Sequence, residues 1–261
     1  MHKRALLKKL LSPILTVIVL VLFGMYLYKN PEILTTVLSI NIWYVVIAMI
    51  FFLLLFFVEG IFIKITLDIF NKHIDLKEAY YLSTLSRIGN YLLPLRAGAI
   101  FRATYLKKKY NFEYSKFLST LYAYYILLFL LNSAIAIISL LIKYLIDNQY
   151  YPLVSIFFIA IFLGTIFVIL FRKTLNIEKI KVPNIVKKLI KTLNSFITSW
   201  DMIVRNRKHF LSLLLVTFAN IFFNGIVNLT EFISLGLKVN ILDIILYTCL
   251  SGVSLLISIT P

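Results

Sequence analysis

The sequence predicts an all-α fold: a polytopic membrane helix bundle of five full spans and two re-entrant hairpin segments, the second truncated. Residues 1–261 form a single integral membrane domain. Three observations predict this. Hydrophobic residues make up 61% of the chain, charged residues only 15%, and mean hydropathy is +0.94. A soluble domain is nearer half apolar and about a quarter charged. The apolar residues lie in runs that reach the roughly 18 residues a bilayer span requires. Finally, the 27 Lys and Arg residues are distributed asymmetrically between the connections.

The first apolar run, 11–28, follows His2, Lys3, Arg4, Lys8 and Lys9. This resembles a signal peptide, but the exit Tyr26-Leu27-Tyr28-Lys29-Asn30-Pro31 has no small-residue cleavage site, so the run reads as an uncleaved span. Further spans are expected at 42–63, 117–142, 153–171 and 210–234. With the N-terminus in the cytoplasm, 24 of the Lys and Arg residues fall inside and three (Lys29, Lys143 and Lys238) outside, as the positive-inside bias demands. The net charge of +16 therefore belongs to loops beside anionic lipid, not to a nucleic-acid surface. The expected location is the inner (plasma) membrane.

That threading holds only if 78–106 enters and leaves on one side. The segment reads as a re-entrant hairpin turning at Leu93-Pro94-Leu95-Arg96-Ala97-Gly98. A pair of helices lying in the interface is the alternative. Residues 176–208 form a cytoplasmic amphipathic element: Ile185, Leu189, Leu193, Phe196, Trp200 and Ile203 recur at helical spacing, opposite Lys187, Lys188 and Lys191. Such a helix lies on the inner leaflet or packs on the other cytoplasmic loops. The last segment, 244–261, is apolar and stops at Thr260-Pro261, which reads as C-terminal truncation before a further turn and span.

Two groups of residues are candidates for function. In the hairpin, Asn90, Pro94, Arg96, Gly98 and Arg102 interrupt an apolar stretch. An arginine inside a membrane segment costs roughly 2.5–3.5 kcal/mol on insertion scales, so it is usually paired or functional. Guanidinium matches phosphate geometry, and Arg96 and Arg102 together fit a lipid phosphate; snorkelling to head groups is the alternative. On the last full span, Thr217, Asn220, Asn224, Asn228 and Glu231 are spaced three, four, four and three, which keeps them on one helix face. This polar seam either lines a hydrated groove or bonds to neighbouring helices. Glu59, with Lys64 five residues on, reads as an interfacial acid or ion pair, and Tyr122, Tyr124 and Tyr125 as part of an aromatic belt.

The single cysteine, Cys249, and the scattered His2, His73 and His209 make no metal site, and no cofactor is expected. Walker, dinucleotide-binding, Gly-x-Ser-x-Gly and His-Glu-x-x-His motifs are absent, and no catalytic residue is identified. These absences lower the enzyme reading without removing it.

Residues Asn90-Tyr91-Leu92-Leu93-Pro94-Leu95-Arg96-Ala97-Gly98-Ala99-Ile100-Phe101-Arg102, followed by Tyr105-Leu106-Lys107-Lys108, resemble the lysylphosphatidylglycerol synthase transmembrane family, a flippase-like membrane family. Its pattern is Asn, a gap, Leu-Pro-x-Arg-x-Gly-Glu, a gap, then Arg. Ser258-Ile259-Thr260-Pro261 is similar to the start of its second motif, a glycine-rich turn. Ala99 stands where the family has Glu, and Tyr122–Tyr125 where a Glu-Arg pair is expected. The resemblance implies lipid translocation: movement of an aminoacylated phospholipid or a polyprenyl-phosphate-linked lipid across the inner membrane. Pro94, Arg96, Gly98 and Arg102 carry over as lipid-phosphate site residues. The alternative is a membrane subunit presenting lipid to a separate aminoacyl- or glycosyltransferase. An embedded transferase would need an acid or base near the arginines, and Ala99 removes the one the pattern supplies.

Overall fold

The computed structural model describes residues 21–92, 97–171 and 184–254, apart from the side chains of 33, 34, 36, 37, 92, 184–189 and 191. Among these residues there is no strand. The helices are α1 (21–29), α2 (Pro31–Leu38), α3 (Ile42–Ile69), α4 (Leu76–Leu92), α5 (Ala97–Tyr110), α6 (Tyr114–Asp147), α7 (Pro152–Leu170), α8 (Asn184–Arg205), α9 (Arg207–Ser234) and α10 (Ile241–Ser254).

Four helices are long and apolar enough to cross a membrane: α3, α6, α7 and α9. They correspond to four of the five expected spans. At 28 residues, α3 and α9 each run about 42 Å, longer than a hydrocarbon core of about 30 Å. The expected first span is helical over 21–28, and its remainder lies outside the described residues. Local signals set several helix ends. Asn41 accepts a hydrogen bond from the Trp43 N–H, and Asn206 from the His209 N–H. Pro152 opens α7, and α6 ends at Asn148, whose φ of 53° suits an asparagine.

α9 lies along α3, while α6 carries α7, α8 and α10. α4 folds back onto α3 and pairs with α5, forming the expected hairpin; its turn, 93–96, lies outside the described residues. Of α7 only Phe158 and Thr165 are buried, which leaves the rest of this apolar helix to face lipid. One cluster of buried side chains joins the hairpin to α3, α6, α8 and α9 at the basic end of the bundle. A second joins α6, α7, α9 and α10 toward the other end, where Lys143 of α6 pairs with Asp243 of α10.

The amphipathic element forms α8, and its apolar face docks on α6. Tyr122 packs edge-on against Phe196 and Trp200, with ring centroids 4.9 and 5.4 Å apart, and the Ser119 hydroxyl donates to the Phe196 carbonyl at 3.1 Å. Trp200 and Ile203 are buried. This corrects the aromatic-belt reading of the tyrosines: Tyr122 is an interhelical contact, and Tyr124 packs edge-on against Phe62 of α3 at 5.2 Å. Residues 255–261, which include the second-motif resemblance, lie outside the described residues.

Candidate functional site

Three close helix approaches build the site. At Gly60 of α3, an added Cβ would lie 3.0 Å from the Tyr80 backbone, so α3 and α4 touch main chain to main chain. One turn away the Ser83 hydroxyl donates to the Phe56 carbonyl at 2.6 Å. This pairing brings Arg87, one turn beyond Ser83, beside Glu59. At the hairpin crossing, a Cβ on Gly89 would lie 3.0 Å from the Gly98 Cα, and a Cβ on Gly98 only 1.8 Å from the Ser86 carbonyl oxygen. Only glycine permits that approach. The Asn90 side-chain oxygen accepts the Ala99 N–H at 3.2 Å, satisfying one free donor at the start of α5. Arg102 then lies one turn past Gly98.

These contacts enclose a cavity of about 410 Å³ between α3, α4, α5 and α6. Glu59, Arg87, Asn90, Ala99, Arg102 and Tyr124 are among its lining residues. It lies well inside the bundle: Glu59 is ten residues from the basic end of α3 and Arg102 eight from that of α5, or about 15 and 12 Å along the helices.

The two cations differ in their surroundings. An Nη of Arg87 lies 3.3 Å from a Glu59 carboxylate oxygen, and the guanidinium stands over Phe52 and Phe56 at 5.3 and 5.7 Å. Arg102 stands over Phe117 at 5.4 Å, and its buried Nε has no hydrogen-bond partner. Arg102 makes no hydrogen bond or ion pair among the described residues. Cation–π contact alone is worth about 0.5–2 kcal/mol, far less than burying a charge costs.

Such an arrangement has one strong chemical capacity. A buried guanidinium with an unused donor, in a cavity holding two cations and one carboxylate, binds an anion.

The family model for the lysylphosphatidylglycerol synthase TM region matches residues 9–261. The chain belongs to that family. It is a multi-pass membrane protein related to lipid chemistry. No curated protein and no solved structure matches it. Ala99, the departure from the family pattern, lines the cavity, and a carboxylate reaches the same cavity from α3 instead.

Of the expected phosphate-site residues, Arg102 and Asn90 line the cavity, while Gly98 is buried at the hairpin crossing. Pro94 and Arg96 lie outside the described residues. The ion pair expected between Glu59 and Lys64 is not formed. Lys64 lies 3.8 Å from Asp68 and donates to the Ile74 carbonyl at 3.1 Å. The polar seam stays apart from the cavity. Thr217 and Asn220 are buried; Thr217 donates to the Leu213 carbonyl at 2.7 Å, and the Asn224 amide donates to the Asn220 carbonyl at 2.9 Å. Asn228 donates to Thr248 of α10 at 2.9 Å, and Glu231 is exposed beside a separate groove between α3 and α9. Among the described residues no His, Cys, Asp and Glu side chains group as a metal site.

A further cluster closes the mouth of the hairpin. Glu78 of α4 accepts hydrogen bonds from Tyr105 and Tyr110 at 2.7 and 2.8 Å and from the Lys109 ammonium at 2.7 Å, all on α5. Burial pushes the Glu78 carboxyl up, but these three donors outweigh it and hold it below the usual carboxylate range. Burial and the Glu78 contact raise Tyr110 to about 12.

Proposed function

We propose that this chain translocates a phosphate-bearing lipid across the inner membrane, with the N-terminus cytoplasmic and the phosphate held by Arg102 beside the Arg87–Glu59 pair. The lipid classes the family resemblance implies, an aminoacylated phospholipid and a polyprenyl-phosphate-linked lipid, share that phosphate. The observation that carries the reading is the unsatisfied buried Nε of Arg102 in the cavity. A purely structural arginine at this depth would be expected to carry a full set of partners.

A trail of other unmet polar groups supports movement beyond the cavity. α6 lines the cavity with Thr120, Tyr124 and Tyr125. Asn132 follows Tyr125 by seven residues, about 10 Å further along the helix. It is 1% exposed, and neither polar atom of its side chain has a partner. On α9, the Asn220 amide nitrogen is likewise buried without a partner.

The test is translocation of fluorescent phospholipid in proteoliposomes containing the full chain. Arg102→Ala is expected to slow movement about 10- to 100-fold, the worth of charge-assisted hydrogen bonds, while the protein still folds. Arg102→Lys should recover only part, because an ammonium lacks the guanidinium fork. Absence of movement across several lipid classes would sink the proposal in favour of a subunit that presents lipid to a separate transferase.

A further inference from the structure

The charge balance of the cavity assigns a class of head group. We infer that the site takes a lipid phosphodiester whose head group carries hydroxyls and no ammonium, and that it discriminates against aminoacylated lipid. This rests on the phosphate-binding reading above and narrows its substrate.

Glu59 is the one acidic residue among the described lining residues, against Arg87 and Arg102. The hairpin adds no other carboxylate: between Glu78 and Glu113 the sequence contains no Asp or Glu, the turn included. The three charges sum to one net positive charge. A phosphodiester carries one negative charge and cancels it. An ammonium arriving with that phosphate meets two guanidiniums, and the sole carboxylate is already held by Arg87 at 3.3 Å. Unpaired charge away from water is strongly disfavoured.

The hydroxyls of the lining point the same way. Thr66 donates to the Phe62 and Ile63 carbonyls, Ser86 to Leu82 and Thr120 to Phe117. Each spends its one proton on its own helix, so its oxygen remains an acceptor. Acceptor oxygens beside a cationic centre fit a phosphate followed by a polyol or sugar. The cavity volume lies within the roughly 300–1,000 Å³ usual for small-molecule sites.

The experiment is competition in native mass spectrometry. The detergent-purified full chain is offered phosphatidylglycerol and lysylphosphatidylglycerol with the same acyl chains. Phosphatidylglycerol is expected to be retained roughly tenfold more, and Arg102→Gln to abolish that retention. Glu59→Gln, which raises the site to two net positive charges, should shift retention toward the more highly charged phosphatidic acid. Equal or preferred retention of lysylphosphatidylglycerol, still dependent on Arg102, would overturn the head-group inference and leave the phosphate site standing. Retention of every lipid regardless of Arg102 would overturn the site itself.

Discussion

Gly98→Ala tests the geometry on which the cavity depends. The added methyl would lie 1.8 Å from the Ser86 carbonyl oxygen and 2.8 Å from the Asn90 side-chain oxygen. Close carbon–oxygen contacts are about 3.3–3.6 Å, so α4 and α5 must separate by about 1.5 Å. The nearest atom belongs to helix backbone, so no rotamer change relieves the clash. Overpacking of this kind typically costs about 1–3 kcal/mol. The displacement would also pull Arg102, one turn away, out of line with Glu59 and Arg87. Thermal unfolding of the detergent-solubilised chain should show a lower midpoint for Gly98→Ala, and lipid movement in proteoliposomes should fall with it. Gly164→Ala is the control, because nothing lies within 4 Å of its added Cβ. An unchanged midpoint and unchanged movement in Gly98→Ala would refute the close crossing and the cavity built on it.

Glu78→Gln should loosen the hairpin mouth and flatten its acid dependence. The folded carboxyl titrates below its unfolded value of about 4.3, so its stabilisation is present above that value and is lost as pH falls through the folded one. Hydrogen exchange of α4 and α5 across that range checks this; equal acid sensitivity in the variant would rule the latch out. Asn132→Leu should raise the unfolding midpoint, since it removes a buried amide with no partner at similar volume, a gain of about 1–2 kcal/mol. A lowered midpoint would mean that the amide has a partner in the folded protein.

The bundle was legible because its signals are local. Hydropathy, spacing and the positive-inside bias located four spans that the structure contains, and Pro94 with Gly98 marked the break between two helices. Arg102 was legible because a charge stands out in an apolar run. Its neighbours were not. Glu59 and Arg87 are 28 residues apart, and their pairing is made by the contact of Gly60 with Tyr80, which no periodicity reports. One available signal was misread. Lys64 is five residues from Glu59, about 140° around the helix, whereas Asp68 is four from Lys64 and shares its face. Helical geometry alone favoured the pair that forms. The Glu78 cluster was hidden for the same reason as the Arg87 pair, since its donors lie 27 to 32 residues away on α5.

The placement of unmet groups explains why stability and transport should pull against each other here. Where the chain needs only to fold, polar groups are satisfied: Thr217, Thr230 and Ser133 all return their protons to their own helices. The unsatisfied ones sit at Arg102, Asn132 and Asn220, buried in a protein whose surroundings offer no water to compensate. Each costs about 1–3 kcal/mol or more in the empty protein. A phosphate or hydroxyl passing along them would recover part of that cost at each stop. The same groups that destabilise the empty bundle would thus lower the barrier to carrying a polar head group through it. Replacing all three with apolar residues should yield a more stable protein that moves no lipid, whereas a variant stabilised in this way yet still active would break the link between the orphaned groups and the path.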